Sequence, residues 1–212
     1  MSKKRVLIII TEGDTDEEFY KKIIDEIKKS NDNVNFNFQK IIYFCSKGIG
    51  KMHKKMLNKF KTQICCQKYN KYEKVVCFCY DYDVFEFDKN TPINRTKMRE
   101  DFEKAGADKI IEIIAKRTIE DFFLYDVNGV KKYLKLPKTY KVPKGKSGLE
   151  TIGKMFNDAN KVYFKGEKVE GLVKMLDKKL ILENICTQIH TLCVELGYDC
   201  NCDKCGKNRI FK

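Results

Sequence analysis

The 212-residue chain lacks any apolar stretch approaching the roughly 20 residues of a membrane-spanning helix, so no membrane partner is expected. The run Val6 to Ile10 ends at Thr11 and Glu12, too short for the apolar core of a signal peptide, and a cytoplasmic location with mostly reduced thiols is expected. The Walker spacing G-x-x-x-x-G-K-[ST] is absent, which excludes that nucleotide cradle. There is no internal repeat, no low-complexity segment and little proline, with 3 in the whole chain. Acid is also scarce: 30 Asp and Glu stand against 43 Lys and Arg, a net charge of +13. Such a surface suits a polyanion such as nucleic acid, although a lysine-biased composition gives the same sum.

Short β-rich runs alternate with helical periodicity. Strands are expected near residues 5–11, 38–44, 74–80 and 109–114, with helices near 16–29, 51–66, 96–105 and 119–134. Val-Leu-Ile-Ile-Ile and Val-Val-Cys-Phe-Cys-Tyr have the apolar continuity of strands covered on both faces, so the fold class is α/β, a Rossmann-like, mainly parallel sheet flanked by helices. Pro137 and Pro143 bracket a lysine-rich connector, dividing an expected catalytic domain, 1–136, from a helical appendage and Cys-rich tail, 137–212. Amphipathic stretches near 148–158, 168–176 and 178–196 are the expected helices of that appendage.

Acidic groups stand where two of the strands end. The first leads into Glu12-Gly13-Asp14-Thr15-Asp16 and the third into Asp81-Tyr82-Asp83. Ligands of parallel sheets sit outside the carboxyl ends of the strands, so these carboxylates should converge on one crevice. Their mutual repulsion there would be relieved by a divalent cation.

This order and spacing resembles the TOPRIM domain of topoisomerases, primases and OLD-family nucleases, over roughly residues 5 to 125. The resemblance implies Glu12 as general acid or base and Asp81 and Asp83 as ligands of magnesium or manganese, making or breaking phosphodiester bonds. Glu-Gly-x-x-Asp is similar to the OLD-like and RloB-like members, which implies Asp16 as a ligand of a second ion and an acidic site residue after the fourth strand, Glu120 or Asp121. Asp14, Asp16 and Glu17 also suit a helix N-terminus, and Thr118-x-x-Asp121 suits a capping box. Where family members often carry a glycine after Asp-x-Asp, this chain has Val84-Phe85-Glu86-Phe87-Asp88. No topoisomerase tyrosine or gate and no primase template-binding element is recognisable. The resemblance implies a metal-dependent nuclease acting on DNA or RNA in defence or mobile-element biology. The alternative is a non-catalytic TOPRIM-derived module binding nucleic acid or protein.

Three further features carry paired readings. Ser46-Lys47-Gly48-Ile49-Gly50-Lys51 is either a plain turn or a phosphate cradle, with His53 beyond it a surface residue. Lys144 and Lys146 either reach over the site or belong to a solvated loop. Cys77 and Cys79 read as small core residues, whereas Cys200-x-Cys202-x-x-Cys205 offers three thiolates to a structural zinc, with Cys193 or His190 as the fourth ligand. The other reading of the tail is a frayed end, with Cys186 and Cys193 in the core.

Overall fold

The computed structural model describes residues 3–29, 36–66, 68–82, 93–115, 117–166 and 169–198. Asp83, Cys200, Cys202 and Cys205 lie outside the described residues.

Among the described residues, four strands, β1 (Arg5–Thr11), β2 (Lys40–Cys45), β3 (Glu73–Asp81) and β4 (Lys109–Ala115), form one all-parallel sheet in the order β2-β1-β3-β4. The fold is therefore α/β with a parallel sheet flanked by helices. The two central strands are apolar on both faces because both faces are covered. Leu7 and Ile9 of β1, with Val75, Cys77 and Cys79 of β3, point into one core. Val6, Ile8 and Ile10, with Val76, Phe78 and Tyr80, point into the other. Cys77 and Cys79 are accordingly small core residues, fully buried.

Helix α1 (Asp14–Lys29) covers the first face through Phe19, Ile23, Ile24 and Ile27. The opposite face is covered by α2 (Lys54–Lys59) and α3 (Arg95–Lys104). Met52, Met56, Phe60 and Ile64 recur every fourth residue on the buried side of the α2 segment. A spacing of four drifts around an α-helix of 3.6 residues per turn. The segment answers with a wider π-turn over Phe60–Ile64, closed by Cys65 N donating to Phe60 O at 3.0 Å, and so keeps Ile64 inside.

The expected helix over 119–134 is interrupted. It resolves into α4 (Glu120–Phe123), a 3-10 turn at Leu124–Asp126 and α5 (Val127–Leu134). Asp126 causes the break: its buried carboxylate accepts from Gly129 N at 2.9 Å, capping α5, and from Asp177 N at 2.7 Å. The stretch 178–196 likewise divides into α8 (Lys178–Ile185) and α9 (His190–Glu195), after α6 (Gly148–Asp158) and α7 (Glu170–Met175). These C-terminal helices bury Ile152, Met155, Leu172, Ile181, Ile185 and Leu192 in the same cluster as Leu7 and Ile9. Residues past 137, expected as an appendage, thus share the core on the α1 side of the sheet.

A buried ionic clamp fixes the opposite, amino-terminal edge of the sheet. Glu195 of α9 accepts from Arg5 at 2.6 Å and pairs with Lys109, so the first residues of β1 and β4 share one acid on α9, while Arg5 also reaches Glu73, the first residue of β3, at 2.8 Å. Burial works to raise the Glu195 pKa, but Lys109 and Arg5 outweigh it and hold the group below its ordinary value. Stability from this clamp is present above the unfolded carboxyl pKa and is lost as pH falls through the lower folded value. Glu195→Gln should lower stability at pH 7 by about 2 kcal/mol, discounted from the fully buried case because Lys109 is half-exposed. The difference from wild type, read by thermal denaturation, should shrink at pH 3.

Candidate active site

The strand order places a topological switch between β1 and β3, since the chain leaves β1 for β2 on one side and returns to β3 on the other. Connections there run to opposite faces, opening a crevice at the carboxyl ends of the two strands. Glu12 is the first residue past β1 and Asp81 the last of β3. A cavity of about 710 Å³ opens there, lined by Glu12, Asp14, Asp16, Asp81, Glu120, Lys47 and Lys165 among others.

Each acid is delivered by a different local device. Asp16 sits in the first turn of α1, and its Oδ2 accepts from Gly13 N at 2.9 Å. It therefore satisfies a helix N-terminus and faces the cleft at once. Gly13 has to lack a side chain, because a Cβ there would stand 2.8 Å from Asp16 Oδ2 and 3.0 Å from Gly166 Cα. Glu120 is the first residue of α4, 1 % exposed, with Oε1 accepting from Tyr163 Oη at 2.7 Å. Asp81 is 2 % exposed and its Oδ2 receives Lys165 Nζ at 3.0 Å.

Among the described residues, Asp81 Oδ1 and Glu120 Oε2 are buried with no hydrogen-bond partner. Buried carboxylate oxygens without a donor are costly. The cost appears as proton affinity. Burial, then the charges of Glu12 and Glu120, pushes the Asp16 carboxyl up to about 7. Burial and Asp16 push Asp81 well above the carboxylate range, with Lys165 opposing them.

Asp121, the neighbour of Glu120, is a structural cap. Its Oδ2 accepts from Thr118 N at 2.9 Å and its Oδ1 from Gly148 N at 2.8 Å, tying α4 to the start of α6. The capping box is half-formed, because Thr118 Oγ1 is buried with no partner. The turn after β2 is held by Ser46 N on Thr11 O and Gly48 N on Glu12 O, at 2.9 and 3.0 Å, with Lys47 paired to Asp14. Lys47 and Gly48, both at positive φ, form one wall of the cleft. His53 Nε2 lies 2.9 Å from Asp101 Oδ2, linking α2 to α3.

Lys144 and Lys146 are exposed and do not line the acid cleft. Lys165 reaches it instead, from the segment after α6. That segment carries no regular secondary structure: Val162 and Phe164 are exposed, Tyr163 is half-buried with its hydroxyl on Glu120, and Lys165, in a turn and exposed along its stem, reaches Asp81 with Nζ. Asp14 N donating to Gly166 O at 3.3 Å fastens its end. In a chain this rich in lysine, nothing in Val-Tyr-Phe-Lys marks one ammonium as special.

Among the described residues, no group of three His, Cys, Asp or Glu side chains is arranged to hold a metal ion. Two oxygens that face the cleft are already engaged, one by Lys165 and one by Tyr163. In the candidate zinc set, Cys193 is 2 % exposed in the main core and Cys186 3 %, while His190 Nδ1 is buried without a partner. Comparison with family models, curated proteins and solved structures finds no match.

Proposed function

We propose that the chain is a magnesium- or manganese-dependent nuclease of TOPRIM type, hydrolysing phosphodiester bonds of DNA or RNA at this cleft. The observation that carries this reading is the meeting of Glu12, Asp16, Asp81 and Glu120, from three separate parts of the sequence, at the switch point of a parallel sheet. The donor chemistry fits a hard cation: every acidic ligand offers oxygen, and two buried oxygens lack partners. Asp81, Asp16, Glu120 and Glu12 would hold the ion, together with Asp83 if it completes Asp-x-Asp. A bound divalent ion supplies neutralisation of phosphoryl oxygens and a water of lowered pKa.

The chain's own groups have separate tasks. Glu12, half-buried as a residue with its Oε2 out of solvent, lines the cleft as the group placed to give or take a proton there. Lys165 brings a fixed positive charge to the level of Asp81, where it would meet a phosphoryl oxygen. Tyr163 holds Glu120 in one orientation.

The test is incubation of purified protein with plasmid DNA and with RNA in manganese. Cleavage that vanishes with chelator supports the reading, and none on either substrate counts against it. Lys165→Met should lower cleavage at saturating substrate by about 10²-fold, with little change in binding of uncleaved substrate. Gel-shift and single-turnover rates on the same oligonucleotide separate the two.

A second reading rests on a specific observation. Lys165 already neutralises Asp81, and the described carboxylates form no ready-made ion cage. A non-catalytic module binding nucleic acid or protein would have this arrangement permanently, and would bind in chelator without cutting in manganese.

A further inference from the structure

From Ser46 to Tyr72 the chain carries eight lysines and no Asp or Glu. This segment leaves the cleft wall at Lys47 and Gly48, turns through Ile49–Lys51 and runs along α2. Its buried side, Met52, Met56, Phe60 and Ile64, fixes the opposite side outward, and Lys51, Lys54, Lys55 and Lys61 are all exposed there. Within the segment Lys47 pairs with Asp14 and His53 with Asp101, whereas among the described residues no ion pair engages Lys51, Lys54, Lys55 or Lys61. From Lys51 to Lys61 the helical rise is about 15 Å, the length of roughly four nucleotides of a duplex strand at 3.4 Å each.

We infer that this lysine face is the track along which a nucleic-acid backbone approaches the acid cleft. The inference rests on the proposed nuclease reading for its destination, but concerns a separate surface. Two features favour a phosphate backbone over an anionic membrane. The strip begins at the wall of a carboxylate cleft, which repels a polyanion unless neighbouring cations hold it. Among the described residues, the large exposed apolar side chains also lie elsewhere, as at Tyr125, Val162, Phe164 and Met175, so α2 has no apolar side to sink into lipid. The phosphates would contact ammonium groups as point charges, giving affinity without base preference.

The test compares two variants with the same net charge. One replaces Lys51, Lys54, Lys55 and Lys61 by Gln; the control replaces Lys97, Lys132, Lys138 and Lys179, also exposed, by Gln. Binding of a fluorescent 20-base-pair duplex and of a single strand is measured in chelator across a salt series, so no cleavage occurs and the result stands whether or not the protein is a nuclease. The track variant should lose at least about tenfold in affinity, and the duplex slope of log K against log salt should flatten by about 2 to 4, while the control changes little. Equal losses in both variants, or none in either, would overturn the track and leave the positive charge as composition alone. Loss of binding to phosphatidylserine vesicles with duplex affinity intact would also overturn it, in favour of a membrane. Matching melting temperatures for the two variants establish that neither result comes from misfolding.

Discussion

Asp81→Asn is expected to lower manganese-supported phosphodiester cleavage by about 10³-fold while leaving duplex affinity in chelator at or above the wild-type value. The carboxylate is 2 % exposed at the end of β3, with one oxygen on Lys165 and the other without a partner. Asparagine keeps the shape and removes the charge, so the strand and its pairing with β4 are retained. Binding should not suffer, because a negative charge leaves the path of a polyanion. Single-turnover cleavage and gel-shift on one labelled substrate read the two effects separately. Cleavage by the variant at the wild-type rate would show that the cutting belongs to a contaminant or to another site.

The second large effect concerns stability without metal. The Asp16 carboxyl is raised from 3.8 to about 7 by burial and by Glu12 and Glu120, and Asp81 is raised as well. A folded pKa above the unfolded one means that the folded state favours the protonated form. The stability this group contributes is fully present below about 4 and is lost as pH rises through about 7. In chelator, the protein should therefore be less stable at pH 8 than at pH 5. Asp16→Asn should remove most of that loss, on the order of 2–4 kcal/mol at pH 8. For a chain of this size the gain is roughly 5–15 °C in melting temperature. Manganese should stabilise the wild type at pH 8 and leave the variant nearly unmoved. Differential scanning fluorimetry at both pH values, with and without ion, checks all three expectations. Glu195 works in the opposite direction below pH 5, so the contrast between wild type and Asp16→Asn isolates the cleft.

Much of this arrangement was legible in the chain. Val6 to Ile10 and Val75 to Tyr80 are apolar without alternation because β1 and β3 are the central strands, covered on both faces. From that alone, Glu12 and Asp81 follow as neighbours, since parallel strands present the same end to the same crevice. Asp16 and Glu120 were legible only as candidates. Helix capping and cleft lining make the same demand for an acid at a helix start, and Asp16 meets both while Asp121 meets only the first.

What was not legible depends on long-range packing. Periodicity runs unbroken through Ile119 to Leu134, and only the reach of Asp126 to Gly129 and Asp177 stops the helix. The C-terminal helices looked separable because a lysine-rich connector precedes them, yet Leu172, Ile181 and Leu192 join the same core as Leu7 and Ile9. Lys165 and Tyr163 come from a segment outside any helix or strand, and their partners lie far off in sequence at Asp81 and Glu120.

The central claim is that Glu12, Asp16, Asp81 and Glu120 form one divalent-cation site, and manganese binding measures it without reference to activity. Titration of the wild type at pH 8, followed by the electron paramagnetic resonance of free manganese, should show saturable binding that Asp81→Asn weakens by at least about tenfold. Wild-type protein that leaves the free-ion signal untouched, or a variant that binds as well as wild type, would contradict the account.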